Sequence, residues 1–194
     1  MKLKTYTTLA LAAVALATVP AFAQVQISRD GRPERIFRPI SGLNGKDIQF
    51  LQQAAIINIF EMKVGQLASE KSTNQFISEF GKEMITDHKM AWDELKTIAA
   101  AKDVNLPQDL PAELQHLLAH LENLSPGQFD MAFQNAQRNG HAMASEKFKS
   151  EIENGKDEDV KGYAVKNLPT VEMHYRMMLN KETMMGPTKM SHGD

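Results

Sequence analysis

The sequence predicts an all-α fold of four long amphipathic helices and one short one, and three observations carry that prediction. From Lys46 onward apolar residues recur at spacings of three and four, which places them along one face of a helix. Runs of β-branched residues and strict apolar–polar alternation are absent over the same stretch, so no strand is expected there. Proline and glycine are sparse, with 8 and 11 in 194 residues. A composition of 42% hydrophobic and 24% charged residues with no cysteine suits one soluble domain, or at most two. It excludes a collagen-like, disordered or disulfide-stapled chain. The balance of 22 basic against 24 acidic side chains also removes the positive field that nucleic-acid binding needs.

Residues 1–23 have the pattern of a secretory signal. Lys2 and Lys4 supply charge, Leu9 to Val19 form a short apolar run, and Ala21-Phe22-Ala23 is a small-x-small cleavage site. Cleavage would start the mature chain at Gln24 and leave 20 basic and 24 acidic residues, a net charge of −4. No cysteine stands at the cleavage point for lipid attachment, and no later apolar run approaches the roughly 18 residues that span a bilayer. The expectation is an exported, periplasmic protein without a transmembrane segment. Residues 24–45 carry Arg29, Arg32, Arg35 and Arg38 among prolines and glycines and are expected to form an extended arm. Its ordinary role is a solvated tether; contact of its arginines with an acidic partner or phosphate headgroups is the sharper alternative.

Residues 46–185 are expected to form the bundle. The first helix runs from about Asp47 to Glu70 with the stripe Phe50, Ala54, Ile57, Glu61, Val64 and Ala68. The second runs from about Thr73 to Asp103, with Ser72 as its cap, and carries Ile77, Phe80, Met84, His88, Ala91, Leu95 and Ile98. Residues 104–125 contain Pro107, Pro111 and a short helix with Leu114, Leu117, Leu118 and Leu121, a connection long enough to travel the length of a bundle. Ser125-Pro126 opens the third long helix, which carries Phe129, Phe133, Gln137, His141, Ala144, Phe148 and Ile152 and stops at Gly155. The fourth starts near Asp157 with Val160, Ala164, Asn167, Val171, His174 and Met178, and Pro169 inside it predicts a kink. Residues 186–194 are expected to be a disordered tail. Two tight hairpins joined by one long crossover make a ferritin-like four-helix bundle, and a plain up-down bundle is the alternative.

Each long stripe contains one ionisable residue: Glu61, His88, His141 and His174. All four lie near the middle of their helices, so at about 1.5 Å rise per residue they share one layer of the bundle. Asp87 beside His88, and Asn58 one turn from Glu61, are candidates to support that layer from behind. One carboxylate and three imidazoles suit a single transition-metal ion, Zn, Fe, Mn or Cu, and suit Ca or Mg poorly. A metal-free hydrogen-bonded network that sets helix register explains the same residues, and both readings stay open at the sequence level.

Several stretches resemble the bacterial domain of unknown function 4142 family, whose members are often labelled predicted outer membrane proteins. These are Asn58 and Glu61 with Gly65 and Ala68, Phe80-Gly81-Lys82-Glu83-Met84-Ile85-Thr86-Asp87-His88, Phe129-Asp130 with His141, and Leu168-Pro169 with His174. The resemblance covers about Asp47 to Leu179. It implies a ferritin-like fold in an exported envelope protein and brings no established activity with it. The outer-membrane label fits poorly with a chain that has neither a lipid-anchor cysteine nor barrel strands. Di-iron members of the wider ferritin-like group carry a Glu-x-x-His pair on each of two helices. Here Ile85 and Arg138 occupy the positions three before His88 and His141, and Glu172 stands two before His174, so a bridged di-iron centre is not expected.

Two further groups carry ligand chemistry. Met173, Met177, Met178, Met184, Met185 and Met190 with His174 and His192 could favour soft Cu(I), although helical methionines ordinarily fill core gaps. Glu113, His116 and His120 share the face of the short helix opposite its leucines and are expected to be wet. Isolated Gly65, Gly81 and Gly140 inside helices point to close packing. No nucleophile motif or phosphate-binding glycine loop occurs, so the leading expectation is a non-enzymatic exported bundle of unknown activity whose core could hold one metal ion. The alternatives are a structural or partner-binding envelope protein and a metal-dependent oxidoreductase.

Overall fold

A computed structural model of the chain describes residues 26–27, 33–34 and 43–184, with side chains placed through 179. Residues 1–23, read from the sequence as a signal, residues 186–194 with Met190 and His192, and the four arginines of the segment read as an arm lie outside the described residues. The chain divides into two units, 1–39 and 40–194. In the first, β1 (Gln26–Ile27) pairs antiparallel with β2 (Pro33–Glu34), Gln26 opposite Glu34 and Ile27 opposite Pro33. This two-residue ladder falls inside the segment read as an extended arm.

In the second unit the helices begin and end where local chemistry permits. Helix α1 (Gly45–Lys71) starts after Asn44, whose Oδ1 accepts from the Lys46 and Asp47 amides at 2.6 and 3.1 Å, while the Asn44 amide donates to Asp47 Oδ2 at 2.7 Å. Helix α2 (Gln75–Ala101) is capped by Asn74, which accepts from the Phe76 amide at 3.0 Å. The expected cap, Ser72, instead terminates α1: its amide donates to the Ala68 carbonyl and its Oγ accepts from the Asn74 amide at 3.1 Å. Helix α2 also stops short of the expected Asp103, which takes the left-handed φ of 54° that breaks a helix. Short helix α3 (Ala112–Asn123) buries Leu121 and leaves Glu113, His116 and His120 in solvent, as its pattern predicts. Helix α4 (Pro126–Asn154) has Pro126 at its first turn, and Ser125 Oγ donates to Gln128 at 2.7 Å. Helix α5 (Glu158–Met184) follows Asp157, whose Oδ1 accepts from the Asp159 and Val160 amides at 3.1 Å each. Pro169 does not end α5, and Val165, whose carbonyl it leaves without a helical donor, is on the exposed side.

Cross-links at the two ends establish the topology. At one end the Lys156 amide donates to Asp47 Oδ1 at 2.8 Å and Lys102 reaches Asp157 at 2.7 Å. These join the start of α1, the end of α2 and the α4–α5 turn. At the other end Ser72 Oγ donates to Asp130 at 2.6 Å, joining the α1–α2 turn to the start of α4. Helices α2 and α4 are therefore parallel, and residues 102–125 cross the full length of the bundle, as in ferritin-like folds. Helix α1 packs along α2 and α4 along α5, with α1 against α4 and a sparser α2–α5 seam closing the bundle.

The α1–α2 pair is tight because both helices present glycine at the crossing. A Cβ on Gly65 would lie 2.7 Å from the Gly81 carbonyl oxygen, and one on Gly81 would lie 2.6 Å from that of Gly65. Gly140 has no such contact; a Cβ there would stand 3.7 Å from Glu61 Oε1. The core forms two apolar clusters. Phe50, Leu51, Leu95, Phe148, Val160 and Tyr163 belong to the one at the Asp47 end. Val64, Ile77, Phe80, Met84, Phe129, Phe133 and Met178 belong to the other. Between them lies a layer of buried polar side chains.

Candidate metal centre

The layer contains Asn58 and Glu61 from α1, His88 from α2, Gln137 and His141 from α4, and His174 from α5, all buried. Each helix turns its apolar stripe inward, and the hydrophobic driving force on its neighbours in the stripe takes the polar residue along. The structure brings His88, His141 and His174 together: one ligand nitrogen from each lies within 4.8 Å of the others. Their ring centroids are 6.0 Å (88–141), 5.6 Å (88–174) and 5.2 Å (141–174) apart. Glu61 is buried in the same layer, beside Gly140, but does not join that close group.

Hydrogen bonds behind the rings determine which nitrogen faces the middle. His88 Nδ1 is 2.9 Å from Asn58 Oδ1, and Asn58 Nδ2 donates in turn to Tyr163 Oη at 3.0 Å. His141 Nδ1 is 3.0 Å from the Gln137 carbonyl oxygen, and His174 Nε2 is 3.1 Å from Asp87 Oδ2. A carbonyl, an amide oxygen and a carboxylate only accept, so each of these ring nitrogens is the N–H donor. The opposite nitrogens, His88 Nε2, His141 Nε2 and His174 Nδ1, then carry lone pairs, and all three are buried with no protein hydrogen-bond partner. Three buried acceptors close together are costly until a donor or a cation reaches them, and the Gln137 amide of the same layer is likewise left without a partner.

Electrostatics keep those lone pairs available. Burial, then the neighbouring imidazoles His141 and His174, holds His88 well below the usual histidine range. Burial and His174 hold His141 near 3, and burial lowers His174 despite the pull of Asp87. Near neutral pH all three are neutral and need lose no proton to bind an ion. Burial pushes the Glu61 carboxyl up to about 8, against a smaller opposing effect of Gln137, and Glu61 Oε2 has no partner in the protein.

Asp87 and Asn58 thus stand behind His174 and His88 respectively, in the way that orienting groups stand behind histidine ligands. Sequence adjacency pairs Asp87 with His88, but neighbours on a helix point about 100° apart, and Asp87 turns to α5 instead. Glu172 lies on another face of α5, 3.1 Å from Lys149. Sequence reasoning passed over Tyr163, whose ring fills the Asp47-end core while its hydroxyl meets Asn58. Its position one residue before Ala164 of the stripe was the available signal.

A family model described as "Domain of unknown function (DUF4142)" matches residues 38–180. No curated protein matches the chain. Among solved structures, the crystal structure of a DUF305 fragment from Deinococcus radiodurans is similar to it with a TM-score of 0.66 at 12% identity, covering 74% of this chain and 99% of the fragment. That likeness establishes the helical-bundle fold and nothing about chemistry.

Proposed function

We propose that this chain, which belongs to the DUF4142 family, is an exported periplasmic bundle protein that binds one transition-metal ion at its midplane. His88, His141 and His174 are the ligands, with Asp87 and Asn58 behind them. The observation that carries this reading is the convergence of three lone-pair nitrogens, each with its other nitrogen committed to a fixed acceptor. Neutral imidazoles suit Zn, Cu or Fe, and nitrogens already within 4.8 Å of one another would draw in to make bonds of about 2.0–2.1 Å to Zn. Glu61 stands off the trio as a buried carboxylate of the same layer, able to approach the ion where no external molecule occupies it. The export reading rests on residues 1–23, and the bundle contributes only that, among the described residues, no helix is long and apolar enough to cross a membrane.

Elemental analysis of the purified mature protein tests the reading. One ion per chain that survives dialysis supports it; protein that takes up no Zn(II), Cu(II), Fe(II) or Mn(II) refutes it and leaves a metal-free polar network. A second reading, oxidoreductase chemistry, is favoured by one feature: three histidine ligands leave a coordination position for an external molecule. Turnover of peroxide or oxygen by the loaded protein, absent from the unloaded one, would distinguish it from simple binding.

A further inference from the structure

His174 belongs to two clusters at once. Through Nδ1 it faces His88 and His141; through Nε2 it meets Asp87 at 3.1 Å, and ligand atoms of Glu83, Asp87 and His174 lie within 4.8 Å of one another. The inner trio is buried throughout, whereas the outer group grades from exposed Glu83 through half-buried Asp87 to the fully buried ring. Glu83 and Asp87 stand one helical turn apart on α2, on its side facing α5. Next to this group a cleft of about 210 Å³, lined by Asp87 and His88 but not by Glu83 or His174, opens along the sparser α2–α5 seam. Glu94 also lines it, with its charge answered by Lys166 at 3.0 Å. Among the described residues no basic side chain is ion-paired to Glu83 or to Asp87 apart from the His174 ring itself.

We propose that Glu83, Asp87 and His174 form an outer cation site through which a divalent transition-metal ion enters and leaves the midplane trio. The inference rests on the proposed metal function. The outer group is poorly built to retain an ion, since one ligand is solvated and one is shared with the trio, but it is well built to catch one. Two carboxylates strip part of the hydration shell at the surface. The His174 ring links the two sites because its nitrogens look into both: Nε2 can join the carboxylates on the ion only while the ring proton sits on Nδ1, and as the ion passes to the Nδ1 lone pair that proton is returned through solvent to Nε2, which again donates to Asp87.

The test is stopped-flow uptake of Co(II) by the unloaded full chain, followed by the visible absorption of the imidazole-bound ion, and release of that ion to a chelator. Glu83→Gln, at an exposed position, should lengthen both half-times tenfold or more by the same factor. Glu79→Gln removes an equal charge one turn earlier on α2, outside the cluster, and should change neither by more than twofold. Uptake by Glu83→Gln at the wild-type rate, or equal slowing by Glu79→Gln, would overturn the relay and leave the inner site standing. A wild-type chain that develops no Co(II) absorption would overturn both.

Discussion

Two groups of buried polar side chains divide the work of this bundle. At one end Asp47, Lys102, Glu151 and Asp157 meet where the start of α1, the end of α2 and the α4–α5 turn converge. There the ends of helices supply donors: Asp47 accepts from the Asn44 and Lys156 amides, and Asp157 from those of Asp159 and Val160. Lys102 bridges Asp157 and Asp159 at 2.7 and 2.8 Å. Burial and the neighbouring Asp47 carboxylate raise Glu151 to about 7, so it holds a proton that the pair can share. Only Glu151 Oε1 lacks a partner in that cluster. At the midplane no helix ends and, among the described residues, no buried lysine or arginine joins the layer, and one nitrogen on each of three imidazoles, Glu61 Oε2 and the Gln137 amide are left without protein partners. The end cluster pairs all but one of its buried polar atoms, whereas the midplane leaves a group of histidine nitrogens that could hold a cation. Burial of polar groups by itself therefore does not mark a candidate binding site; several unpartnered ligand atoms brought close together do.

The sharpest way to break this contrast is to remove a member of each group. His141→Ala should abolish metal retention, from one ion per chain to none, while helix content by circular dichroism stays unchanged, because Phe133, Ala144 and Phe148 still bury the α4 stripe. Unchanged metal stoichiometry in that variant would remove the midplane from consideration. Lys102→Met should do the converse. It strands the buried Asp157 carboxylate and should lower the unfolding free energy by about 3 kcal/mol in urea titrations, with metal content unaltered. An unaltered midpoint would mean that the end cluster contributes little and that the amide donors alone satisfy Asp157.

The smallest effect, and the most diagnostic of the midplane's charge, is the pH dependence of the metal-free protein. The three midplane histidines have lowered pKa values in the folded state, so below about 6.5 the unfolded chain binds more protons than the folded one. Their contribution makes stability fall as pH drops through that range. Glu61 has the opposite sign: raised from 4.5 to about 8, it retains a proton on folding, and stability is lost as pH rises from the unfolded value through 8. Glu151, raised to about 7, adds to that loss over a narrower window. Denaturant midpoints should peak near pH 6–7, and Glu61→Gln should flatten most of the decline between pH 7 and 8. A decline that persists in that variant would assign the alkaline limb to another group.

Much of this could be read without coordinates. The three-and-four spacing places Glu61, His88, His141 and His174 in buried stripes at similar heights, and the long 104–125 connection allows α2 and α4 to lie parallel, which the cross-links at the two ends then show. Gly65 and Gly81 pack as isolated helical glycines suggest. The end cluster was passed over because Asp47 and Asp157 look like ordinary first-turn acids and Lys102 like an ordinary last-turn base. The clue was that Glu151 and Lys102 continue the stripes one step beyond Phe148 and Ala99.

Periodicity along one chain specifies which face of each helix is apolar and how high a residue stands, since both follow from 3.6 residues per turn and 1.5 Å of rise. The sequence by itself therefore determined the bundle, its order of helices and the existence of a polar midplane layer. It could not set the rotation of one helix against another, which depends on how side chains on neighbouring rods interlock. That rotation is what turned Asp87 to His174 and Asn58 to His88, left Glu61 outside the close trio, and pointed three lone pairs at a common centre.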